Sequence, residues 1–170
     1  KLLTVGTHLD EQTLKHLLSG YAIHLFDSID STNRYAKNLT NDDSHQKSLV
    51  LATHQTGGRG RLERGFYSPQ GGLYLSIVLP ASFSIHDAML ITSASSVAVM
   101  RAIEQICGKK CKVKWVNDLF LGQKKVCGIL TEGVLGIESN RLSAVVIGIG
   151  LNLFIARNAF SLELREIATS

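Results

Sequence analysis

The chain has 170 residues, 45% hydrophobic and 19% charged, with a formal charge of +4. Those proportions belong to a globular domain and exclude a disordered or collagen-like chain; at this length a core closes without disulfide or metal staples, and two domains would be crowded. The basic excess favours anionic partners without naming one.

Three cysteines, Cys107, Cys111 and Cys127, form no CxxC pair, which points to free thiols in a reducing compartment, the cytoplasm. The most apolar stretch, 144–156, is shorter than the about 20 residues a bilayer requires and carries Asn152, so it reads as a buried strand. No signal-peptide pattern opens the chain, and because it starts at Lys1, upstream residues are expected to be missing from it.

In chain order, residues 10–19 place Leu14, Leu17 and Leu18 at helical spacing behind Asp10, a good N-cap, and stop at Gly20. A strand is predicted over 21–26. A helix bearing Tyr35, Ala36 and Leu39 follows, capped by Asp30 or Ser31, with Ser31, Thr32 and Asn33 at its first turn. The β-rich runs 49–54 and 72–80 read as neighbouring strands joined by a glycine and arginine loop over 56–65. Residues 86–107 are small or apolar all round and predict a mostly buried helix. The runs 113–121, 124–133 and 141–153 then read as consecutive strands. The fold class is α/β (α+β), with one large, mixed, largely antiparallel sheet covered by helices.

The densest chemical signal is QTGGRGR, from Gln55 to Arg61. Gly57, Gly58 and Gly60 let the backbone approach a ligand, and the guanidinium forks of Arg59 and Arg61 suit carboxylate or phosphate oxygens. An anion site and a solvated or RNA-binding basic loop are equally compatible with this heptapeptide alone. No GK[ST] follows, so it is not a Walker A loop. In KWVNDLFLGQKKVCGIL, Asn117 and Asp118 close one apolar run and Lys124 and Lys125 open another, with Gly128 leaving room beside the strand. Lysine there can meet a phosphoryl oxygen, although a turn followed by an exposed hairpin tip is the commoner outcome. GIGLN, 148–152, lacks dinucleotide-fold spacing.

Taken together, DSIDSTN (27–33), HQTGGRGR (54–61), SPQGGLYLSIVL (68–79), KWVND (114–118), KKVCGIL (124–130) and IGIGLN (147–152) resemble, in order and spacing, the catalytic domain of biotin protein ligases. The resemblance covers roughly 2–152, including a lead-in helix and strand over 2–23. It implies the biotin and lipoate ligase catalytic fold, similar to class II aminoacyl-tRNA synthetases. It also implies one catalytic domain over 1–170, without an upstream DNA-binding unit in this chain and without the small β-barrel domain that often follows.

The implied reaction joins ATP and biotin to biotinyl-5′-adenylate and then hands biotin to a lysine of a biotin carboxyl carrier protein, with Mg²⁺ accompanying ATP. By match to the family's motifs, Lys125, Arg59 and Asp118 are the catalytic positions. Ser31, Thr32, Asn33, Gln55, Gly58, Arg59, Gly60, Arg61, Lys125 and Gly128 fall on the biotin pocket. Arg59, Arg61, Phe66, Asn117, Lys125 and Asn152 fall on the ATP side. The chain departs from the family where Leu62 and Glu63 replace Arg and Gly, where Phe66 stands in place of the Trp that stacks on adenine, and where Val116 replaces Pro. Phenylalanine keeps the stacking face.

Two other readings compete. A lipoate or octanoate attachment enzyme shares the fold, and in one mechanism uses a cysteine thioester; Cys127, flanked by KKV and GIL, is the cysteine beside the motif lysine, where a small buried hydrophobe is the expected role. A noncatalytic nucleic-acid module would explain the cations between 59 and 125, yet aromatic residues do not interleave with them as stacking platforms would. No membrane partner is expected and no nucleic acid for this chain, and a homodimer remains open. The six histidines show no paired-ligand spacing.

Overall fold

The structure, a computed structural model, describes residues 10–40, 46–80, 85–136 and 142–170. The part of the expected lead-in over 2–9 lies outside the described residues. Helix α1 (Glu11–Leu17) starts as expected on Asp10, whose carboxylate accepts from the backbone N–H groups of Gln12 and Thr13. Leu14 and Leu18 pack against the sheet, but Leu17 is exposed, because the helix has only one turn's width of contact with the neighbouring strand. Strand β1 (Ala22–Phe26) leads to α2 (Thr32–Asn38), capped by Ser31, with Thr32, Asn33 and Ala36 buried.

Strands β2 (Ser48–Ala52) and β3 (Gly72–Pro80) follow, flanking the glycine and arginine loop. After α3 (Ile85–Cys107) come β4 (Lys112–Lys114), β5 (Asp118–Leu121), β6 (Lys124–Leu135), β7 (Leu142–Asn152) and the short α4 (Leu162–Ile167). The strands form one seven-stranded sheet in the order β1-β2-β3-β7-β6-β5-β4. Only β1 and β2 run parallel; every other pair is antiparallel.

Side chains alternate across this sheet with the two-residue period of a pleated strand. On one face, Val50, Val78, Ala144 and Val146 pack under Ala36, Tyr35 and Leu39 of α2. On the other, Leu119, Cys127, Ile129, Val145 and Ile147 pack under Ile91, Val99, Met100 and Ile103 of α3, and Ile23, Leu49 and Leu51 under Leu14 and Leu18 of α1. The sheet is therefore covered by α2 on one side and by α1 and α3 on the other. Beyond the end of α2 its first face is open.

Three sequence expectations are corrected. The helix over 86–107 is not mostly buried: Leu90, Val97 and Ile106 are exposed, because only one stripe of the helix meets the sheet and its small residues continue around a solvent face. The run 113–121 is not one strand but two, β4 and β5, which fold back antiparallel about Trp115–Asn117. The apolar stretch 144–156 leaves the sheet after Asn152, and Leu153 and Phe154 turn toward solvent once β3 has no further residue to pair with them.

Leu119 has no exposed surface and lies where β5, β6 and α3 meet. Its truncation to Ala should lower unfolding free energy by about 2–5 kcal/mol, read as a fall in the urea midpoint with an unchanged slope.

Candidate active site

The open half of the sheet face carries a cleft lined by residues from α2, the loop and strands β6 and β7. Glycines make up much of its floor: Gly128, Gly148 and Gly150 hold cleft-facing positions of β6 and β7, with Gly128 paired to Gly150 and Leu130 paired to Gly148. A Cβ at 148 would lie 2.0 Å from Asn33 Oδ1. One at 150 would lie 2.4 Å from the Phe66 ring, and one at 128 only 2.8 Å from it. Glycine is what allows Asn33 and Phe66 to rest directly on the sheet.

One end of the cleft is polar and uncharged. Ser31, Thr32 and Asn33 enter it from the start of α2, all three buried. Gln55, from the residue pairing with Ile29 beyond β2, faces them: its Oε1 accepts from Thr32 N–H at 2.9 Å, and its Nε2 donates to Ser68 Oγ at 2.9 Å. Fully buried Ser76 of β3 lies 2.8 Å from Thr32 Oγ1 and 2.6 Å from Asn33 Oδ1. Asn33 Nδ2 donates to Glu132 Oε2 at 2.9 Å, and Lys37 Nζ reaches the other oxygen of that carboxylate at 3.0 Å. Burial works to raise the Glu132 pKa, but the hydrogen bonds from Asn33 and Lys37 and the charges of Lys37 and Arg59 outweigh it and leave the group below its ordinary value.

The other end is cationic. The segment from Thr56 to Gly65 is a folded loop: Gly57 N–H reaches Asp30 O, Phe66 N–H reaches Gly58 O, Arg59 bridges Gly65, and a 3-10 turn spans Arg61–Glu63. Gly58 is close-packed in this turn, since a Cβ there would sit 2.3 Å from Phe66 O. Arg59, Gly60 and Arg61 line the cleft, and Arg61 Nη1 donates to Asn117 Oδ1 at 3.2 Å. Lys125 joins them from β6. The β5–β6 register slips by one residue between Leu119 and Phe120, leaving Val126 as the extra residue of a bulge. Bulges re-aim neighbouring side chains, and here Lys125 points into the cleft, 2.8 Å from Asp118 and 5.3 Å from the centre of the Phe66 ring. Lys125 is therefore no exposed hairpin tip.

Of the residues singled out from sequence, Ser31, Thr32, Asn33, Gln55, Arg59, Gly60, Arg61, Phe66, Asn117, Lys125 and Gly128 line one cleft. Gly58 shapes the loop behind it and Asp118 touches it through Lys125. Asn152 is not brought in: it is buried, donates from Nδ2 to Thr169 O at 2.9 Å, and leaves its Oδ1 without a partner among the described residues. Ser68, Ser76, Glu132 and Lys37 were missed. The signal for Ser76 was its place on the buried parity of GLYLSIVLP, and for Glu132 an acid inside an apolar strand. Cys127 is fully buried, and burial pushes its thiol up to about 12 despite nearby Lys125.

Residues 25–152 match the sequence model of the Biotin/lipoate A/B protein ligase family. The chain is 37% identical over 158 residues to the Bifunctional ligase/repressor BirA of Bacillus subtilis, covering 92% of this chain and 48% of that protein. It is 34% identical to the Biotin--[acetyl-CoA-carboxylase] ligase of Paracoccus denitrificans, covering 79% of this chain and 55% of that one. Among solved structures, the biotin protein ligase of Aquifex aeolicus in complex with biotin and ATP superposes with a TM-score of 0.69 at 30% identity, over 87% of this chain and 58% of that chain. The chain thus spans about half the length of the curated relatives it matches.

The thiols should separate cleanly. With its pKa near 12, Cys127 holds roughly one part in 10⁵ thiolate at neutral pH. In the native chain a disulfide reagent should titrate exposed Cys107 at once and buried Cys111 and Cys127 only after unfolding. Rapid labelling of Cys127 would restore the thioester reading.

Proposed function

Because this chain belongs to the Biotin/lipoate A/B protein ligase family, we propose that it is the catalytic unit of a biotin protein ligase. It activates biotin with ATP and passes the biotinyl group to a lysine of a biotin carboxyl carrier domain. The observation that carries this reading is the pairing of an uncharged, amide-rich pocket with a cluster of three cations in a single cleft. A cyclic urea needs both donors and acceptors. An acid activated as its adenylate needs positive charge where carboxylate and polyphosphate meet.

In the first step a biotin carboxylate oxygen attacks the α-phosphorus of ATP, forming an acyl phosphate bond as the bond to pyrophosphate breaks. Arg59, Arg61 and Lys125 offset the negative charge gathered there. Asp118 holds the Lys125 ammonium in place through their 2.8 Å contact. Ser31, Thr32, Asn33 and Gln55 grip the ureido ring, while Gly60 and Gly128 leave room for the ligand and Gly58 lets the loop pack behind it. Phe66 and Asn117 stand on the nucleotide side. In the second step the carrier's lysine amine attacks the acyl carbon and AMP leaves with the bonding pair.

Mg²⁺ fits this site as a companion of ATP. Among the described residues no group of three or more His, Cys, Asp or Glu converges, so the ion would be held mainly by phosphate oxygens and water, with Asp118 as the protein carboxylate beside them. It would neutralise polyphosphate charge. Among the described residues no helix is long and apolar enough to cross a membrane, and a cytoplasmic setting agrees with the free thiols.

Incubation with ATP, Mg²⁺ and either biotin or lipoate should give biotinyl-adenylate by mass, and biotin should raise the melting temperature more than lipoate does. Lys125→Ala should slow adenylate formation by about 10²- to 10³-fold while biotin affinity changes only a few-fold. Lipoyl-adenylate in place of biotinyl-adenylate would overturn the assignment.

A further inference from the structure

The polar end of the cleft has fewer protons than oxygen contacts. Gln55 Oε1 lies 3.0 Å from Thr32 Oγ1, which lies 2.8 Å from Ser76 Oγ, which lies 2.6 Å from Asn33 Oδ1. Each hydroxyl brings one proton and an amide oxygen brings none. Two protons therefore serve three contacts, and one contact is always bare.

Both ends of this chain are held as acceptors. The Gln55 amide is turned by its Nε2 bond to Ser68 Oγ, whose own proton goes to Phe66 O at 2.9 Å. Asn33 is turned by Glu132: an ionised carboxylate only accepts, so it takes Nδ2 and leaves Oδ1 facing Ser76. Lys37 holds the carboxylate from α2 at 3.0 Å, and Arg59 adds charge from the loop. Thr32, Asn33 and Ser76 are buried, so within the cluster the deficit is not made up by bulk water.

We propose that Glu132 is a specificity-determining positioning residue: by fixing the Asn33 amide with its oxygen turned inward, it keeps the cleft one proton short and selects ligands that bring N–H donors. This rests on the biotin reading, in which the ureido group supplies those donors, and it adds to that reading residues of β3 and β6 that touch Asn33 from behind. A hydrocarbon or a purely accepting ring leaves the bare contact unrelieved. Were Glu132 only a strut tying α2 to β6, the Lys37 ion pair would carry its effect instead.

The test uses the full chain and its Glu132→Gln and Lys37→Met variants, titrated calorimetrically with biotin and with biotin methylated on a ureido nitrogen. The steric cost of the methyl group is common to all three proteins. The wild type should prefer biotin by about ten- to a hundredfold. Glutamine can donate to a flipped Asn33 and supply the missing proton, so Glu132→Gln should narrow that preference about tenfold; Lys37→Met keeps the acceptor and should keep the preference. Should Glu132→Gln not fold, the wild type still answers: one Asn33 side-chain amide proton should resonate downfield and lose that shift as Glu132 protonates in acid. An undiminished preference in Glu132→Gln, an equal loss in Lys37→Met, or an Asn33 amide indifferent to acid overturns the inference. A wild type that binds no biotin overturns the proposed function instead.

Discussion

The Asn33 amide sits where the β-carbon of residue 148 would be, and the cleft depends on that missing atom. Strand β7 alternates glycine with large aliphatics, so one face of the same five residues is a floor without side chains and the other, Ile147, Ile149 and Leu151, is core. Helix α2 can then lie low enough for its first turn to reach the sheet. From that approach come the contacts of Asn33 with Ser76 on one neighbouring strand and Glu132 on the other. A single methyl group at 148 would lift the helix and undo the whole polar end at once.

The cationic end depends on a different device. Regular alternation along β6 would not place Lys125 and Gly128 on the same open face while burying Val126 and Cys127. The extra residue at Val126 changes the parity and turns the lysine inward, where Asp118 and the Phe66 ring meet its charge. The bulge belongs to the β5–β6 hairpin, so the electrostatics of the cleft are set by a turn geometry rather than by loop mobility. The two ends share one strand, with Lys125 near its start and Glu132 further along.

Much of this was legible in sequence because it rests on local rules. Asp10 and Ser31 announce their helices as caps, GLYLSIVLP announces a strand by its alternation, and the glycines of QTGGRGR announce a tight loop. What was not legible depends on partners far away in the chain. The exposed stripe of α3 follows from how wide a sheet lies beneath it, and composition does not report that. The hairpin at Trp115–Asn117 begins ahead of the Asn117 and Asp118 turn signal, at Trp115 and Val116, which have good strand character. Ser76 and Glu132 stand in strands as isolated polar residues, and their meaning appears only when Asn33 arrives between them from a helix more than forty residues earlier than the nearer of the two.

The position of β7 in the sheet has a consequence for how the molecule is made. Strands β1, β2 and β3 form one half of the sheet and β4, β5 and β6 the other, and the two halves meet across β7, the last of these seven in chain order. On the ribosome, where chains emerge amino end first, β3 and β6 each present an unpaired edge until residues 142–152 clear the exit. Open edges invite pairing with other chains. A nascent chain of this protein is thus two partial sheets in search of a keystone, and the glycine-rich strand that later floors the cleft is the piece that closes the arch.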